Sequence, residues 1–338
     1  MGAIDSAGAV LAPMWAARDD RLLLLSQASH AYAIIRATLA AAGRPDPVFW
    51  FPSYFCGSAL DSFRLSGPKL RFYPVTDDFA PDWAACTELA RAEPPDLFSL
   101  PHFFGLEADL AAARAFADRH GALLHEDCAH SLLPYGGAGR AGDFVTYSPR
   151  KFLPMADGGL LIVRGEALIR QAEAAASGLP GRSYSPLRWQ WRQWRRRLLG
   201  QGAGSLPPRT LEWDPPIIPH FPEIWMSRAS RSALMLAAGS GAIAAIAARR
   251  HHAALELGAQ FAADCGLRHL PPHPDAVPFW TALRGPDEAT TLAAINALRA
   301  KGVGANTWPR LPVEVKADPA RYAPAIRIRR TLIRIPTA

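Results

Sequence analysis

Residues 122–131 read ALLHEDCAHS and residues 146–163 read TYSPRKFLPMADGGLLIV. The first stretch is a short apolar run that ends on two carboxylates, Glu126 and Asp127. An apolar run of that length suits a buried strand, and its last residues are delivered to the loop beyond it. The second begins inside one apolar run, 144–147, and ends in another, 159–163. Between them lie Ser148, Lys151 and the turn Asp157-Gly158-Gly159, whose glycines permit tight backbone approach. In an α/β sheet the ligand sits beyond the strand ends. Asp127, Ser148 and His102 all fall just after predicted strands, where such a site belongs.

Working outward, the same alternation continues. Residues 22–42 are rich in Ala and Leu and read as a helix closed by Gly43 and Pro45. Strands are expected at 48–51, 70–74, 97–100 and 122–125, and helices at 58–66 and 108–120. Strands separated by helical stretches predict an α/β fold with a mostly parallel sheet covered on both faces. Residues 177–229 differ from both flanks in their Arg, Trp, Pro and Gly content and read as an insertion or linker. A helical region over 230–265, a strand at 279–283, a helix at 288–300 and the segment 326–335 predict a smaller α+β C-terminal domain. The expected division is therefore a large domain over 1–176, the insertion over 177–229, and the helical region with the small domain over 230–338.

Composition narrows the classes. The chain has 338 residues, 49% of them hydrophobic, enough for a large and a small domain with a well-buried core. Ten tryptophans with a charged fraction of 20% exclude a disordered chain. The opening residues lack the basic and apolar regions of a secretory signal, and the four cysteines have no metal-type spacing. They read as reduced thiols, so a cytoplasmic protein without a zinc site is expected. The net charge of +7 suits an acidic small molecule, and no nucleic-acid-binding motif accompanies it.

Four segments together carry a resemblance: HEDCAHS at 125–131, TYSPRKFLPMADGGLLIV at 146–163, PSYFCGSALDSF at 52–63 and LPHFFGLEADL at 100–110. In order and spacing the chain resembles the DegT/DnrJ/EryC1/StrS family of pyridoxal-phosphate (PLP) sugar aminotransferases, as a divergent member. The match is good over about residues 20–165. It continues more weakly through RRHHAALEL, WPRLP and LIRIP, at 249–257, 308–312 and 332–336. The resemblance implies a fold-type-I PLP-dependent transferase, a homodimer, and transfer of an amino group, often from glutamate, to a keto-sugar linked to a nucleotide, in polysaccharide biosynthesis.

Residue by residue, the resemblance makes Lys151 the lysine that forms the Schiff base and moves the proton, and Asp127 the carboxylate at the ring nitrogen. The related dehydratases carry histidine in place of that lysine, so Lys151 points to transamination. His130 takes a position near the 3-oxygen of the ring. Ser148, Thr146 and Ser29 are the hydroxyls for the cofactor phosphate, Ser29 at a helix N-terminus. Phe55, or its neighbour Tyr54, is the aromatic for the ring, and His102 lines the substrate side. The sequence also departs from the family. The phosphate loop, 26–30, has no glycine, Cys56 falls where a stacking aromatic is usual, and the family's C-terminal histidine is missing.

Those departures leave two alternatives. One is a homologue that keeps the fold and binds a sugar or partner without turnover. The other is a membrane-surface component of polysaccharide assembly. The latter rests on Leu187, Trp191, Trp194 and Leu198, one helical face surrounded by arginines in a stripe over 187–198, which also suits packing on protein. Residues 137–142, GAGRAG, fit the dinucleotide fingerprint by letter. They precede a strand instead of joining a strand to a helix, so they read as a plain glycine-rich loop.

Overall fold

A computed structural model describes residues 6–179, 205–214 and 223–337. The 187–198 stripe lies outside the described residues. Seven strands form the main sheet: β1 (Arg21–Leu25), β2 (Val48–Pro52), β3 (Lys69–Tyr73), β4 (Leu97–Pro101), β5 (Leu123–Asp127), β6 (Phe144–Tyr147) and β7 (Gly159–Val163). Their spatial order is β1-β7-β6-β5-β4-β2-β3. Strands β3, β2, β4, β5 and β6 pair in parallel, and β7 runs antiparallel to both β6 and β1. This is the mostly parallel large-domain sheet that the sequence predicts, with helices on both faces.

Burial alternates along the strands and defines two packed layers. Leu22, Leu24, Val145, Tyr147, Leu160 and Ile162 face α1 (Ser6–Trp15) and the later helices α7 (Arg228–Gly239) and α8 (Ala242–Cys265). Leu23, Leu25, Phe144, Leu161 and Val163 face the opposite layer, which holds α2 (Ala31–Ala41) and α6 (Glu166–Ser177). Helices α3 (Gly57–Arg64), α4 (Trp83–Ala92) and α5 (Leu110–His120) lie between the strands that they connect. Both α4 and α5 start on an aspartate whose carboxylate accepts an amide of the first turn, Asp82 from Ala85 and Asp109 from Ala112.

The helix expected over 22–42 is a correction. Its first residues form β1, and a 3-10 turn at Ala28–His30 leads into α2. The run Arg-Leu-Leu-Leu-Leu has neither a helical nor a strand period, so local pattern does not decide it. Pairing does: every residue from Arg21 to Leu25 is in register with β7, from Val163 back to Gly159.

A second, antiparallel sheet of three strands, in the order β10-β9-β8, is built from β8 (Arg268–Leu270), β9 (Trp280–Arg284) and β10 (Leu332–Pro336). Helix α9 (Glu288–Ala300) packs beside it, opened by Asp287, whose carboxylate accepts from the Thr290 amide at 2.7 Å. Two short helices, α10 (Val313–Ala317) and α11 (Ala323–Thr331), lead into β10. The core around β2 and β4 extends without a break to Trp280, Trp308, Leu311, Val315 and Ile328. Among the described residues, no single helix is long and apolar enough to cross a membrane.

Candidate active site

The reversed direction of β7 shapes the site. Strand β6 ends and β7 begins at the same edge of the sheet, so residues 148–158 stay at the edge where β4 and β5 deliver His102 and Asp127. A cavity of about 320 Å³ opens there, roofed by Phe279, Trp280, Trp308 and Arg334 from the C-terminal region.

At one end of the cavity, residues 26–29 are pressed against the start of β7. The Gly158 amide donates to the Ser26 carbonyl at 2.7 Å, and a methyl group on Gly159 would sit 2.1 Å from the Ala28 nitrogen. Only glycine allows that approach. The first amides of the helical run that starts at Ala28 have no intrahelical acceptor and make an anion-favouring end. Ser29 and Ser148 line this space, and neither hydroxyl has a hydrogen-bond partner among the described residues. The Gln27 amide nitrogen, Nε2, is also buried without a partner.

Across the cavity, a 3-10 turn at Pro149–Lys151 directs Lys151 inward, where its Nζ donates to the Ala129 carbonyl at 3.0 Å. Burial lowers its pKa from 10.5 to about 8, against the opposing pull of Asp127. Asp127 ends β5 and lines the same cavity, its Oδ1 accepting from the Ala129 amide at 2.9 Å. His130 is wedged between Trp280 and Trp308, with ring centroids 4.8 and 4.7 Å away. The Phe104 amide donates to its Nδ1 at 3.2 Å, which leaves the proton to Nε2. Burial, then Lys151 and Arg334, hold its pKa well below the ordinary histidine value, so the ring is neutral.

The other predicted residues divide by what holds them. Phe55 lines the cavity and packs on Phe51 at 5.0 Å. Tyr54 is buried behind it, its hydroxyl donating to the Trp308 carbonyl. Thr146 reaches the wall with its hydroxyl 3.1 Å from His125 Nε2, and His125 Nδ1 in turn meets the Ser99 hydroxyl at 2.9 Å. Burial lowers the His125 pKa to about 4, so this chain under the cavity floor is neutral. His102 also reaches the wall, but both its nitrogens are engaged, Nδ1 by the Ala108 amide at 3.1 Å and Nε2 by Glu126 at 2.9 Å. What it does visibly is brace the loop after β4.

The glycine-rich loop is explained by the same brace. Glu126 accepts from the amides of Gly139, Ala141 and Gly142 at 2.6, 2.8 and 2.5 Å. The loop is a nest around a buried carboxylate and not a nucleotide cradle. Burial alone raises the Glu126 pKa, but the His102 bond and these amides outweigh it and hold it below the usual value.

Sequence reasoning missed Gln27, Trp280, Trp308 and Arg334. The last two lie in WPRLP and LIRIP, whose weak similarity was the one available signal.

Residues 100–196 match the DegT/DnrJ/EryC1/StrS aminotransferase family. Solved structures share the fold at low identity. DesI, determined in the presence of its TDP-sugar product, is 17% identical with a TM-score of 0.67, covering 98% of this chain and 79% of its own. Helicobacter pylori PseC, an aminotransferase involved in the biosynthesis of pseudoaminic acid, is 15% identical with a TM-score of 0.62, covering 94% and 81%. The putative sugar aminotransferase Spr1654 from Streptococcus pneumoniae, in its PLP form, is also 15% identical with a TM-score of 0.62, covering 94% and 82%. These structures share the fold that the sequence predicts, and the match to the aminotransferase family is carried by residues 100–196.

Proposed function

We propose that this cavity moves an amino group from an amino acid to a keto-sugar, most simply one linked to a nucleotide, with Lys151 as the lysine that carries the cofactor. The observation that supports this reading is Lys151 itself: a buried amine, lowered to a pKa of about 8, in one cavity with the strand-end carboxylate Asp127. The cavity residues fit PLP. The orphaned Gln27 amide, the Ser29 and Ser148 hydroxyls and the amides at Ala28 form a cradle for its phosphate. The lack of glycine at 26–30 is offset at Gly159, where the partner strand supplies the close approach.

When bound, the cofactor supplies an electron sink for the carbon that loses its proton. Asp127 is the group to keep the ring nitrogen protonated, because it is a carboxylate delivered by the end of β5 into the same cavity as Lys151. Lys151 takes and returns the substrate proton, since an amine with a pKa of about 8 is poised to do both near neutrality. Neutral His130 offers an Nε2 proton as a hydrogen-bond donor without adding charge beside Lys151. Phe279, Trp280 and Trp308 exclude water from the reacting end. A homodimer, as the resemblance implies, belongs to the same proposal.

The test is the visible spectrum of the protein incubated with PLP, followed by borohydride reduction and peptide mapping. The pyridoxyl label is expected on Lys151 and is lost in Lys151→Ala. A label on another lysine overturns the assignment. A labelled protein that transfers no amino group to any keto-sugar nucleotide retires the substrate half of the proposal alone.

A further inference from the structure

Beneath the cavity, a relay of side chains crosses the sheet from β4 to β6. Ser99 of β4 stands in register with His125 of β5, and its Oγ lies 2.9 Å from His125 Nδ1. On the far side of the ring, His125 Nε2 lies 3.1 Å from Thr146 Oγ1 of β6. Thr146 lines the cavity and stands in register with Asp127. Ser99 and His125 do not line it, and both are fully buried. The relay is therefore closed at Ser99 and open at Thr146. The roles proposed for the cavity residues leave His125 unused.

The direction of this relay follows from its protons. Each hydroxyl brings one, and a neutral imidazole brings one donor and one acceptor. Burial lowers the His125 pKa to about 4, so the ring is neutral at neutral pH. Two arrangements are then available. In one, Ser99 donates to Nδ1, the Nε2 proton goes to Thr146, and the Thr146 proton is left for the cavity. In the other, both bonds are reversed and the Ser99 proton is left over inside the sheet. Among the described residues, Ser99 Oγ makes no hydrogen bond except with His125 Nδ1. A buried donor without an acceptor is costly, so the second arrangement is disfavoured roughly tenfold or more. The first leaves its spare proton where a bound molecule can take it. Among the described residues, the Thr146 hydroxyl has no partner but His125, so no protein group takes that proton.

We propose that His125 is a positioning residue: with Ser99 it makes a one-way relay that holds the Thr146 hydroxyl as a hydrogen-bond donor aimed into the cavity. The wall at Thr146 then favours an ionised oxygen over a group that can only donate. The inference rests on reading the cavity as the cofactor site, since PLP is the molecule that brings such an oxygen. His125 touches neither cofactor nor substrate and acts through Thr146. His130, at the roof, is held differently: a backbone amide, that of Phe104, fixes its tautomer and cannot turn round. The Ser99 hydroxyl can rotate. What keeps it on His125 is that its proton has nowhere else to go.

The first measurement needs no cofactor. Nitrogen-15 NMR of the histidine rings, with His125 identified by the signals lost in His125→Leu, is expected to show the Nε2–H tautomer. The Nδ1–H tautomer overturns the proposal. The second is a fluorescence titration with PLP of wild type, Thr146→Val, Thr146→Ser, His125→Leu and the double variant His125→Leu/Thr146→Val. Thr146→Val is expected to weaken PLP binding roughly tenfold, the worth of a hydrogen bond to an ionised group. Thr146→Ser keeps the hydroxyl and should stay within about threefold of wild type. In the His125→Leu background, Thr146→Val should cost at most about threefold, because a hydroxyl that is no longer positioned contributes less. Wild-type affinity in Thr146→Val overturns the proposal, and so does a cost undiminished by His125→Leu. If wild type takes up no PLP, the reading of the cavity fails, and the tautomer by itself decides the relay.

Discussion

Lys151 and Glu126 show how one residue's surroundings set its chemistry. Lys151 is buried, and its pKa falls to about 8 although Asp127 draws it upward. The rate at which the cofactor-free protein captures PLP should therefore rise with pH around a midpoint near 8 instead of 10.5. Asp127→Asn removes the group that raises the value, so the midpoint should move lower still. A stopped-flow pH profile of capture measures both, and an unshifted midpoint in the variant means that the carboxylate is not coupled to the amine. Glu126 works on the fold. Glu126→Gln replaces a buried carboxylate that serves three amides and His102, at a cost of about 3 kcal/mol. Its pKa is lower in the folded state than the usual 4.5, so its stabilisation is complete above that value and fades as pH falls through the depressed one. Denaturant melts at neutral and acidic pH should find the two proteins converging only in acid. The placement of Asp127 and Lys151 in one cavity was legible in the sequence because each stands at the end of a strand or before a glycine turn. Arg334 was not legible, because nothing near it in sequence marks it. Its place in the cavity comes from the fold, which sets it on the Trp280 ring.

At the scale of elements, the meeting of β7 with the start of the Ala28 helical run shapes the end of the cavity proposed to take the phosphate. Gly159→Ala places a carbon where the Ala28 nitrogen already is. The two elements must separate, and overpacking of this kind costs about 1–3 kcal/mol. We expect PLP affinity, read by fluorescence titration, to fall more steeply than the melting temperature, because the cradle is what opens. Equal PLP affinity in the variant would show that the cradle does not depend on this contact. The same contact explains why the sequence misled over 22–42. Four leucines in a row suit a buried helix or a buried strand equally, and the choice fell to β7, a partner far along the chain. By contrast α9 and β7 were legible to the residue. The first carries its own capping aspartate, and the second is an unbroken apolar run closed off by glycine.

For the whole molecule, one core joins the large sheet to Trp280 and Trp308, and the cavity takes its floor from one sheet and its roof from the other. Unfolding should be a single transition, with tryptophan fluorescence and far-ultraviolet circular dichroism coincident. PLP at about 100 times its dissociation constant should stabilise the protein by about 2.7 kcal/mol and raise the whole transition. Two separate transitions, with only one moved by PLP, would contradict a shared core. The reversed strand β7 carries a further consequence, for how such a chain tolerates change. Because β6 and β7 meet as antiparallel neighbours, with Tyr147 opposite Leu160, the loop that bears Lys151 leaves and re-enters the sheet at one edge. Its length is therefore not tied to the span of a crossover. Residues added beside the exposed Pro154 would extend the loop outward and leave every hydrogen-bonded rung of the sheet in place. This stretch is a natural port for grafted sequence, a place to install a sensor or a recognition tag within reach of Lys151 without re-threading the sheet.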